Sequence, residues 1–422
     1  MNISSEYWSL LQQYELIWTT RKCAFAHDSF RSRLPELVRR VIERNRTHLS
    51  PKQCQLLAQI TTEMQQDYPL SNSLLLTQCG DLNSHGTYLS KLIENEEYTW
   101  LNAPWFLAEL YLFYLILVVT GYFDTGVDPF HPLKYDELQD TTAWMLLDTA
   151  LLVSDHVELG TSEKLCTLLR FDLWGNKADG CYKQVQDTMK GENATLAMDD
   201  ELIIVNDTDC VLQHLQHGDS SKEIHFINDN CGTELFMDLV LADFFLSNIA
   251  CSAVVFHTKL NPMYISDAIP DDVLEHIREM QKSDRKENIQ RLGHRLSQYL
   301  NKGLLRLRPD IFWNQYRFYY EMPTDLVQEF SPSKVNLVLI KGDLNYRRLL
   351  GDRMWPATIS MRAAVPYFPV SFAALRTLKS DPIVGIDPKV LSSVTSDVDW
   401  RVNGGNVAPE SDYIKHTLIF LM

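Results

Sequence analysis

Residues 223–246 read EIHFINDNCGTELFMDLVLADFFL, and their pattern decides the fold class. A short apolar run, EIHFI, is followed at once by the polar triplet Asn228-Asp229-Asn230 and then by a glycine. Residues 234–246 continue as an apolar segment long enough for a helix. A short buried run, turn residues and a helix in this order are typical of a strand that leads into a helix. We therefore predict a buried strand whose carboxyl end presents polar side chains.

The same pattern recurs through the second half of the chain. Short apolar runs occupy residues 202–205, 253–257, 336–340 and 372–375, and a further strand is predicted near Tyr264-Ile265. Helical or polar segments separate these runs. Alternation of strands and helices predicts a layered α/β domain with a largely parallel sheet.

The first half of the chain has the spacing of helices instead. Residues 32–45 place their apolar side chains on one face, and Ser50-Pro51 is typical of a helix start. The wholly apolar residues 110–119 are about half the length that a membrane-spanning helix needs, so we predict a buried core helix. The polar residues 179–200 are predicted to link two domains. We expect an all-helical domain at 1–195 and a three-layer α/β/α domain at 196–422.

Composition excludes several classes of protein. The 422 residues carry 39 Lys and Arg against 55 Asp and Glu, a net charge of −16, which argues against nucleic acid and membrane surfaces as partners. The eight cysteines form no CxxC pair, so neither a disulfide scaffold nor a thiolate zinc site is expected. Residues 1–18 lack the basic segment of a signal peptide. We predict a cytoplasmic protein and leave a nuclear location open.

Polar residues cluster where the predicted strands end. In open α/β sheets, ligands bind beyond the carboxyl ends of the strands. The residues at these ends are Asp229 and Asn230, then Asp267, then Lys341, Asp343, Asn345 and Arg347, and finally Arg376 and Lys379.

This mixture of carboxylates, an amide and cations suits phosphoryl transfer. Asp and Asn oxygens are suitable ligands for Mg²⁺ or Mn²⁺, while Arg and Lys match phosphate oxygens. The helix after Gly232 would direct its N-terminal amides to the same place. A metal, cations and amides together stabilise the charge of a phosphoryl transition state. Each residue alone also fits a structural role, as a turn, a helix cap or a surface ion pair.

Five segments together resemble a known family. Residues 173–179 (LWGNKAD), 229–234 (DNCGTE), 265–267 (ISD), 341–347 (KGDLNYR) and 376–379 (RTLK) are similar to the metal-dependent damage-control phosphatases, also called the domain of unknown function 89 family. RTLK resembles the RTxK signature of subfamily III, the sugar-phosphate phosphatases. The family combines an N-terminal helical domain with a C-terminal α/β/α domain, which agrees with the pattern above.

The resemblance also implies roles for single residues. It implies a metal held by Asp229, Asn230 and Asp267. It implies substrate contacts at residues 343–347 and at Lys379, and we add Asn176 and Arg376 as candidates. The full predicted substrate set is Asn176, Asp343, Leu344, Asn345, Tyr346, Arg347, Arg376 and Lys379.

We therefore predict a divalent-metal-dependent phosphatase that hydrolyses small sugar phosphates such as fructose 1-phosphate in a damage-control role. Mn²⁺ or Mg²⁺ is the expected cofactor, with Co²⁺ and Ni²⁺ as further options. Asp229 and Asp343 are the predicted catalytic residues. Asp229 either attacks phosphorus directly or only binds metal. We favour a metal-activated water, because metal ligation reduces the nucleophilicity of a carboxylate.

The alternative function is S-adenosylmethionine-dependent methylation of glutamate carboxyl groups on a protein substrate. The resemblance implies a cofactor contact at Glu234 for that activity. A Rossmann-type methyltransferase usually has a glycine-rich turn after its first strand, whereas residues 228–234 contain one glycine. The cations at the predicted strand ends also suit a phosphate better than a sulfonium, so the phosphatase is the favoured function.

Overall fold

The structure is a computed structural model that describes residues 3–71, 83–175, 203–249, 251–395, 400–401 and 417–421. Helices occupy the described part before residue 175, and a mixed α/β arrangement follows from residue 203. The predicted linker at 179–200 and the candidate Asn176 lie outside these ranges. The domain boundary near residue 195 therefore stays a prediction.

Ten α-helices build the N-terminal part in the ranges that the structure describes. They are α1 (Ser5–Leu11), α2 (Ala24–Asp28), α3 (Leu34–Arg44), α4 (Pro51–Gln65), α5 (Asn83–Ile93), α6 (Trp105–Thr120), α7 (Tyr122–Thr125), α8 (His131–Leu138), α9 (Thr141–Asp155) and α10 (Thr161–Trp174). A π-helical turn, Ser29–Arg33, connects α2 to α3. The predicted start of α4 is confirmed, because the Ser50 hydroxyl accepts a hydrogen bond from the Gln53 amide.

Helix α6 is the buried helix that the apolar run predicts. Every residue from Trp105 to Val119 is buried, including the carboxyl-bearing Glu109. The helix ends at Gly121, which takes the left-handed conformation at φ 78°. Within the described ranges, no helix is long and apolar enough to cross a membrane.

Seven strands of the described residues form one sheet. They are β1 (Ile203–Asn206), β2 (Glu223–Ile227), β3 (Val254–His257), β4 (Leu305–Leu307), β5 (Val335–Lys341), β6 (Phe372–Thr377) and β7 (Thr417–Leu421). Their order is β1-β7-β6-β5-β2-β3-β4, and every neighbouring pair is parallel except β6 and β7. The largely parallel sheet is confirmed, while the sequence pattern missed β4 and β7.

The predicted strand near Tyr264-Ile265 is wrong. Both residues have positive φ, 50° and 69°, and strand backbone requires negative φ. They lie in an irregular segment between β3 and the next helix, so Asp267 reaches the sheet edge from a loop.

Helices α11–α18 are the remaining α-helices of the described part. They are α11 (Thr208–Gln216), α12 (Thr233–Phe244), α13 (Pro270–Met280), α14 (Glu287–Lys302), α15 (Thr324–Glu329), α16 (Gly342–Leu349), α17 (Met361–Ala364) and α18 (Pro388–Val394). A π-helical turn, Phe245–Ile249, extends α12, and short 3₁₀ helices occupy Ile311–Asn314 and Tyr319–Glu321.

The sheet separates two hydrophobic cores. In β5, Leu337 and Leu339 belong to one core, whereas Val338 and Ile340 belong to the other. Successive side chains of a strand point to opposite faces, so both faces of the sheet are covered. This arrangement confirms the predicted three layers.

The strand order reverses between β2 and β5. From β2 the chain continues to β3 on one side, and it later returns to add β5 on the other side. A reversal of this kind opens a crevice at the carboxyl ends of the two strands, which is where ligands of open α/β sheets bind. Asp229 and Gly342 follow directly at these two ends.

Candidate functional site

A cavity of about 180 Å³ lies at this crevice, between the N-terminal helices and the sheet edge. The helical part lines it with Phe25, Arg33, Leu34, Leu37, Trp105, Glu109 and Phe113. The α/β part lines it with Asp229, Asn230, Tyr264, Ser266, Asp267, Asp343, Leu344, Arg347 and Lys379. Seven of the predicted site residues therefore meet here, from four separate segments of the chain.

Asp229 is fixed by the backbone that follows β2. Its carbonyl oxygen accepts a hydrogen bond from the Ala268 amide at 2.8 Å. In the side chain, Oδ2 accepts a hydrogen bond from Asn230 Nδ2 at 2.9 Å. The other oxygen, Oδ1, is buried and has no hydrogen-bond partner among the described residues. A buried carboxylate oxygen without a partner is unusual and indicates a group that binds something else.

Asp267 reaches the same place through backbone pairing. The Cys231 amide donates to the Ser266 carbonyl at 2.7 Å, and Asn230 pairs with Asp267 as an isolated β-bridge. The Asp267 carboxylate lies 3.0 Å from Lys259 Nζ, which follows β3. Residues near the ends of two adjacent strands thus hold a second buried carboxylate beside Asp229.

The buried acids of the site favour the protonated form of Asp229. Burial, followed by the nearby charges of Asp267 and Glu234, raises the pKa of Asp229 well above its ordinary value. Burial also raises the pKa of Asp267, although Lys259 opposes the shift. A cation placed between the carboxylates would favour the ionised form of both.

Asn230 connects these carboxylates. Its Nδ2 donates to Asp229 Oδ2 at 2.9 Å and to Glu234 Oε2 at 2.8 Å. Its Oδ1 accepts a hydrogen bond from the Ser266 hydroxyl at 2.6 Å. The amide therefore supplies the positive end of a dipole to two buried acids.

This donor set fits a hard divalent cation. Two Asp carboxylates and one Asn amide line the same cavity, and Asp229 Oδ1 has no hydrogen-bond partner among the described residues. In the described part of the chain, no three His, Cys, Asp or Glu side chains are grouped as a metal cage. A small set of oxygen ligands is typical of Mg²⁺-type sites, in which water and substrate complete the coordination.

Arg376 has a structural role beside the site and does not line the cavity. Its Nε donates to Asp343 Oδ1 at 2.7 Å, and its Nη2 donates to the Ser380 carbonyl at 2.8 Å. Burial raises the pKa of Asp343, but Arg376 and Arg347 outweigh it and hold that pKa below its ordinary value. Arg376 is fully buried and is not among the residues that line the cavity. It positions an ionised Asp343 there.

Arg347 lines the cavity, and two acidic side chains already neutralise its charge. It lies 2.8 Å from Glu109, and it forms a two-pronged ion pair with Asp352 at 2.8 and 3.0 Å. Its guanidinium carbon lies 3.5 Å from the ring centroid of Trp105. Lys379 also lines the cavity, is only half-buried, and is close enough for its charge to lower the pKa of Asp229.

Asn345 and Tyr346 do not line the cavity. Asn345 Nδ2 donates to the carbonyls of Asn228 and Lys341, at 3.1 and 2.9 Å. The Tyr346 hydroxyl accepts a hydrogen bond from the Val384 amide at 3.2 Å. Both side chains are buried and fix α16 against its surroundings, so the structure does not bring them to the predicted sugar contacts.

Lys341 and Glu234 belong to a buried charge cluster behind the cavity. Lys341 Nζ lies 2.8 Å from Asp172, 3.1 Å from Glu234 and 3.2 Å from Asp238. Neither Lys341 nor Glu234 lines the cavity. Lys341 therefore neutralises acids within the protein, although its place at a strand end had suggested a phosphate contact.

The helical wall of the cavity is the part that sequence reasoning missed. Glu109 Oε2 lies 2.8 Å from Arg347 Nη1, and Glu109 Oε1 lies 3.7 Å from Arg33 Nη2. Arg33 is the last residue of the π-helical turn. One signal was present in the sequence, because Glu109 is the single charged residue in an otherwise apolar helix. Such a buried carboxylate requires a cationic partner.

Comparison with known proteins identifies the family of the chain. Residues 29–394 match the family described as "Damage-control phosphatase ARMT1-like domain". The protein named "Damage-control phosphatase ARMT1" is 28% identical in Danio rerio, 29% in Mus musculus and 27% in Homo sapiens. Each alignment covers 90% of this chain, and it covers 93% of the fish protein and 94% of the two mammalian ones.

Among solved structures, a DUF89 family protein from Pyrococcus horikoshii is 15% identical, with a TM-score of 0.38. That alignment covers 77% of this chain and 89% of the archaeal one.

Proposed function

Since this chain belongs to the ARMT1-like family of damage-control phosphatases, we propose that it hydrolyses small phosphate monoesters with the help of a divalent cation. Sugar phosphates such as fructose 1-phosphate are the proposed substrate class, and Mn²⁺ or Mg²⁺ is the proposed cofactor. The family name supports a phosphatase. The cation and the substrate class rest on the site itself and on the RTLK resemblance.

One observation carries the proposal. Asp229 Oδ1 is a buried carboxylate oxygen with no hydrogen-bond partner among the described residues, and Asp229 lines a cavity together with a second buried carboxylate, Asp267. Burying two neighbouring carboxylates is costly unless a cation compensates them. Asp229, Asn230 and Asp267 would hold that cation. When bound, it would polarise the phosphoryl group and make a bound water more acidic.

The remaining residues that line the cavity also have roles in this proposal. Lys379 presents a cation where negative charge develops on the phosphoryl oxygens. Asp343 is held ionised by Arg376 and can accept a hydrogen bond from a water or a substrate hydroxyl. Asp229 serves as a ligand in this account, because a carboxylate that binds metal is a weakened nucleophile.

The cavity walls support a small substrate with a polar body. The cavity of about 180 Å³ lies between aromatic side chains on the helical side and carboxylates and cations on the sheet side. Phe25, Trp105 and Phe113 form the aromatic side of the cavity, and Arg347 stacks on the Trp105 ring. Leu344 completes the apolar part of the wall near Asp343.

No observation in the described part of the chain favours methyl transfer. Glu234, the predicted cofactor contact, is 2% exposed and is bound by Asn230 and Lys341. The methyltransferase activity therefore stays a prediction from resemblance, and the experiment below includes it.

The test is phosphate release from a panel of sugar phosphates, with the protein stripped by EDTA and then supplied with Mg²⁺, Mn²⁺, Co²⁺ or Ni²⁺. We expect release only with a cation and highest kcat/KM with a small sugar phosphate. In parallel, transfer of a labelled methyl group from S-adenosylmethionine to protein carboxyls is measured. Methyl transfer without phosphate release would contradict the proposal.

A further inference from the structure

One of the residues that line the cavity, Tyr264, has a buried hydroxyl with no hydrogen-bond partner among the described residues. Buried tyrosine hydroxyls nearly always find a partner, because an unpaired one loses its hydrogen bond to water. Nothing in the mechanism above uses this group.

The backbone at this tyrosine is strained. Tyr264 and Ile265 are two consecutive non-glycine residues whose backbone lies in the left-handed region, at φ 50° and 69°. Such conformations are disfavoured for residues with a β-carbon and concentrate at functional sites. The Ser266 amide donates to the Tyr264 carbonyl at 2.9 Å, which closes the tight turn. The turn lies directly before Asp267.

The ring occupies a defined position between the two halves of the site. It packs on Phe113 of α6 with a centroid distance of 4.8 Å and an interplanar angle of 45°. The charges of Glu109, Arg347 and Asp267 all act on the phenol. Tyr264 therefore stands between the carboxylates of the sheet edge and the aromatic helical wall.

We propose that the Tyr264 hydroxyl donates a hydrogen bond to a hydroxyl group of the substrate's organic part. This inference rests on the proposed phosphatase function and names the part of the substrate that is recognised. A phosphate group would meet Lys379 and the cation, which carry charge. The neutral phenol, packed on an aromatic wall, matches a neutral oxygen on a sugar instead.

The decisive variant is Tyr264→Phe, which keeps the ring on Phe113 and removes only the oxygen. Tyr111→Phe is the matched control. Tyr111 lies on α6 outside the cavity, and its hydroxyl donates to the Ser71 carbonyl at 2.7 Å. Both variants are assayed with fructose 1-phosphate and with p-nitrophenyl phosphate, whose leaving group has no hydroxyl besides the ester oxygen and is flat and aromatic.

We expect Tyr264→Phe to lower kcat/KM for fructose 1-phosphate by roughly three- to tenfold, the effect of one neutral hydrogen bond. Its kcat/KM for p-nitrophenyl phosphate should stay within about twofold, and its melting temperature without substrate should not fall, because no internal hydrogen bond is lost. Tyr111→Phe should lower the melting temperature and leave the ratio of the two substrates unchanged.

Three outcomes would overturn this inference and leave the proposed function intact. They are an equal loss on both substrates, no loss on the sugar phosphate, and a lower melting temperature of Tyr264→Phe, which would reveal a structural partner. Failure of the wild-type protein to release phosphate from either substrate would instead contradict the proposed function on which the inference rests. The wild-type assay therefore tests the proposed function, and the ratio of the two kcat/KM values in Tyr264→Phe tests the inference.

Discussion

Gly342 lies against Asp229 so closely that a β-carbon at position 342 would come within 1.9 Å of Asp229 Oδ2. Gly342 begins α16 directly after β5, with φ at 79°, and Asp229 follows β2. The two strands are neighbours in the sheet. The glycine thus allows the carboxylate to occupy the crevice where the strand order reverses.

Gly342→Ala should abolish most of the phosphatase activity. The added methyl group must displace the Asp229 carboxylate, because the nearest atoms to it belong to that side chain. Gly303→Ala is the control, since Gly303 also has positive φ, 69°, but nothing lies within 4 Å of its β-carbon. Both variants should lose roughly 1–2 kcal/mol of stability from the backbone conformation. Equal activity of the two variants would refute the role given to the close approach.

Lys379→Met tests phosphate recognition. The methionine keeps most of the apolar stem and removes the charge. Loss of one charge-assisted contact should cost about 1.5–3 kcal/mol, hence roughly tenfold to a hundredfold in kcat/KM with a sugar phosphate at saturating Mn²⁺. Lys302→Met, at the exposed end of α14, should have no effect. A change below about twofold for Lys379→Met would remove this residue from the site.

Lys341→Met should destabilise the fold severely. The substitution would leave the carboxylates of Asp172, Glu234 and Asp238 buried without their cation. Removing one partner of a buried ion pair costs about 3–5 kcal/mol. Adding Asp172→Asn to this variant should restore part of the loss, because it removes one of the unpaired charges. Urea unfolding measures both, and a loss below about 1 kcal/mol for the single variant would be incompatible with this account.

A histidine pair predicts how stability depends on pH. His225 Nε2 lies 2.9 Å from Glu223 Oε2, and His257 Nε2 lies 3.0 Å from His225 Nδ1. Because the carboxylate accepts a hydrogen bond, His225 carries its proton on Nε2 and accepts one from His257. His257 Nδ1 then has no partner in the described structure. Burial lowers the pKa of both histidines, so both are neutral in the folded state.

The direction in which stability changes with pH follows from the lowered pKa of the two histidines. Below about pH 6.5 the unfolded imidazoles bind protons and the folded ones do not, so stability is complete above that pH and decreases as the pH falls. Each histidine contributes a slope of up to about 1.4 kcal/mol per pH unit. Urea unfolding at pH 7.5, 6.5 and 5.5 should show a shallower slope for His257→Gln than for the wild type, with the exposed His294→Gln as control. Identical slopes for all three proteins would speak against neutral buried histidines.

The sequence predicted the parts of the site that depend on local pattern. A short apolar run followed by polar residues located the ends of β2, β5 and β6, and the strand pairing brings these ends together. Asp229 and Asp343 therefore lie in the predicted crevice. The buried character of α6 was also predictable, because its apolar residues cover every face of the helix.

The rest depends on long-range contacts that no local pattern contains. Glu109 and Arg347 form an ion pair although 238 residues separate them, and this pair builds the helical wall of the cavity. Arg376 was a candidate substrate contact, yet its guanidinium is occupied by Asp343 and Ser380. Charge at a strand end is visible in sequence, whereas the partner that neutralises it is known only once the chain is folded.

The most direct test of the account is Mn²⁺ binding and phosphate release measured together for the wild type, Asp229→Ala and Asn230→Ala. The account predicts that EDTA abolishes wild-type release and that Mn²⁺ restores it. Asp229→Ala should lose nearly all release and most Mn²⁺ binding without a lower melting temperature, because it removes one of two mutually repelling buried carboxylates. Asn230→Ala should weaken Mn²⁺ binding less, since the amide carries no charge. Wild-type release with unchanged metal dependence in Asp229→Ala would contradict the central claim.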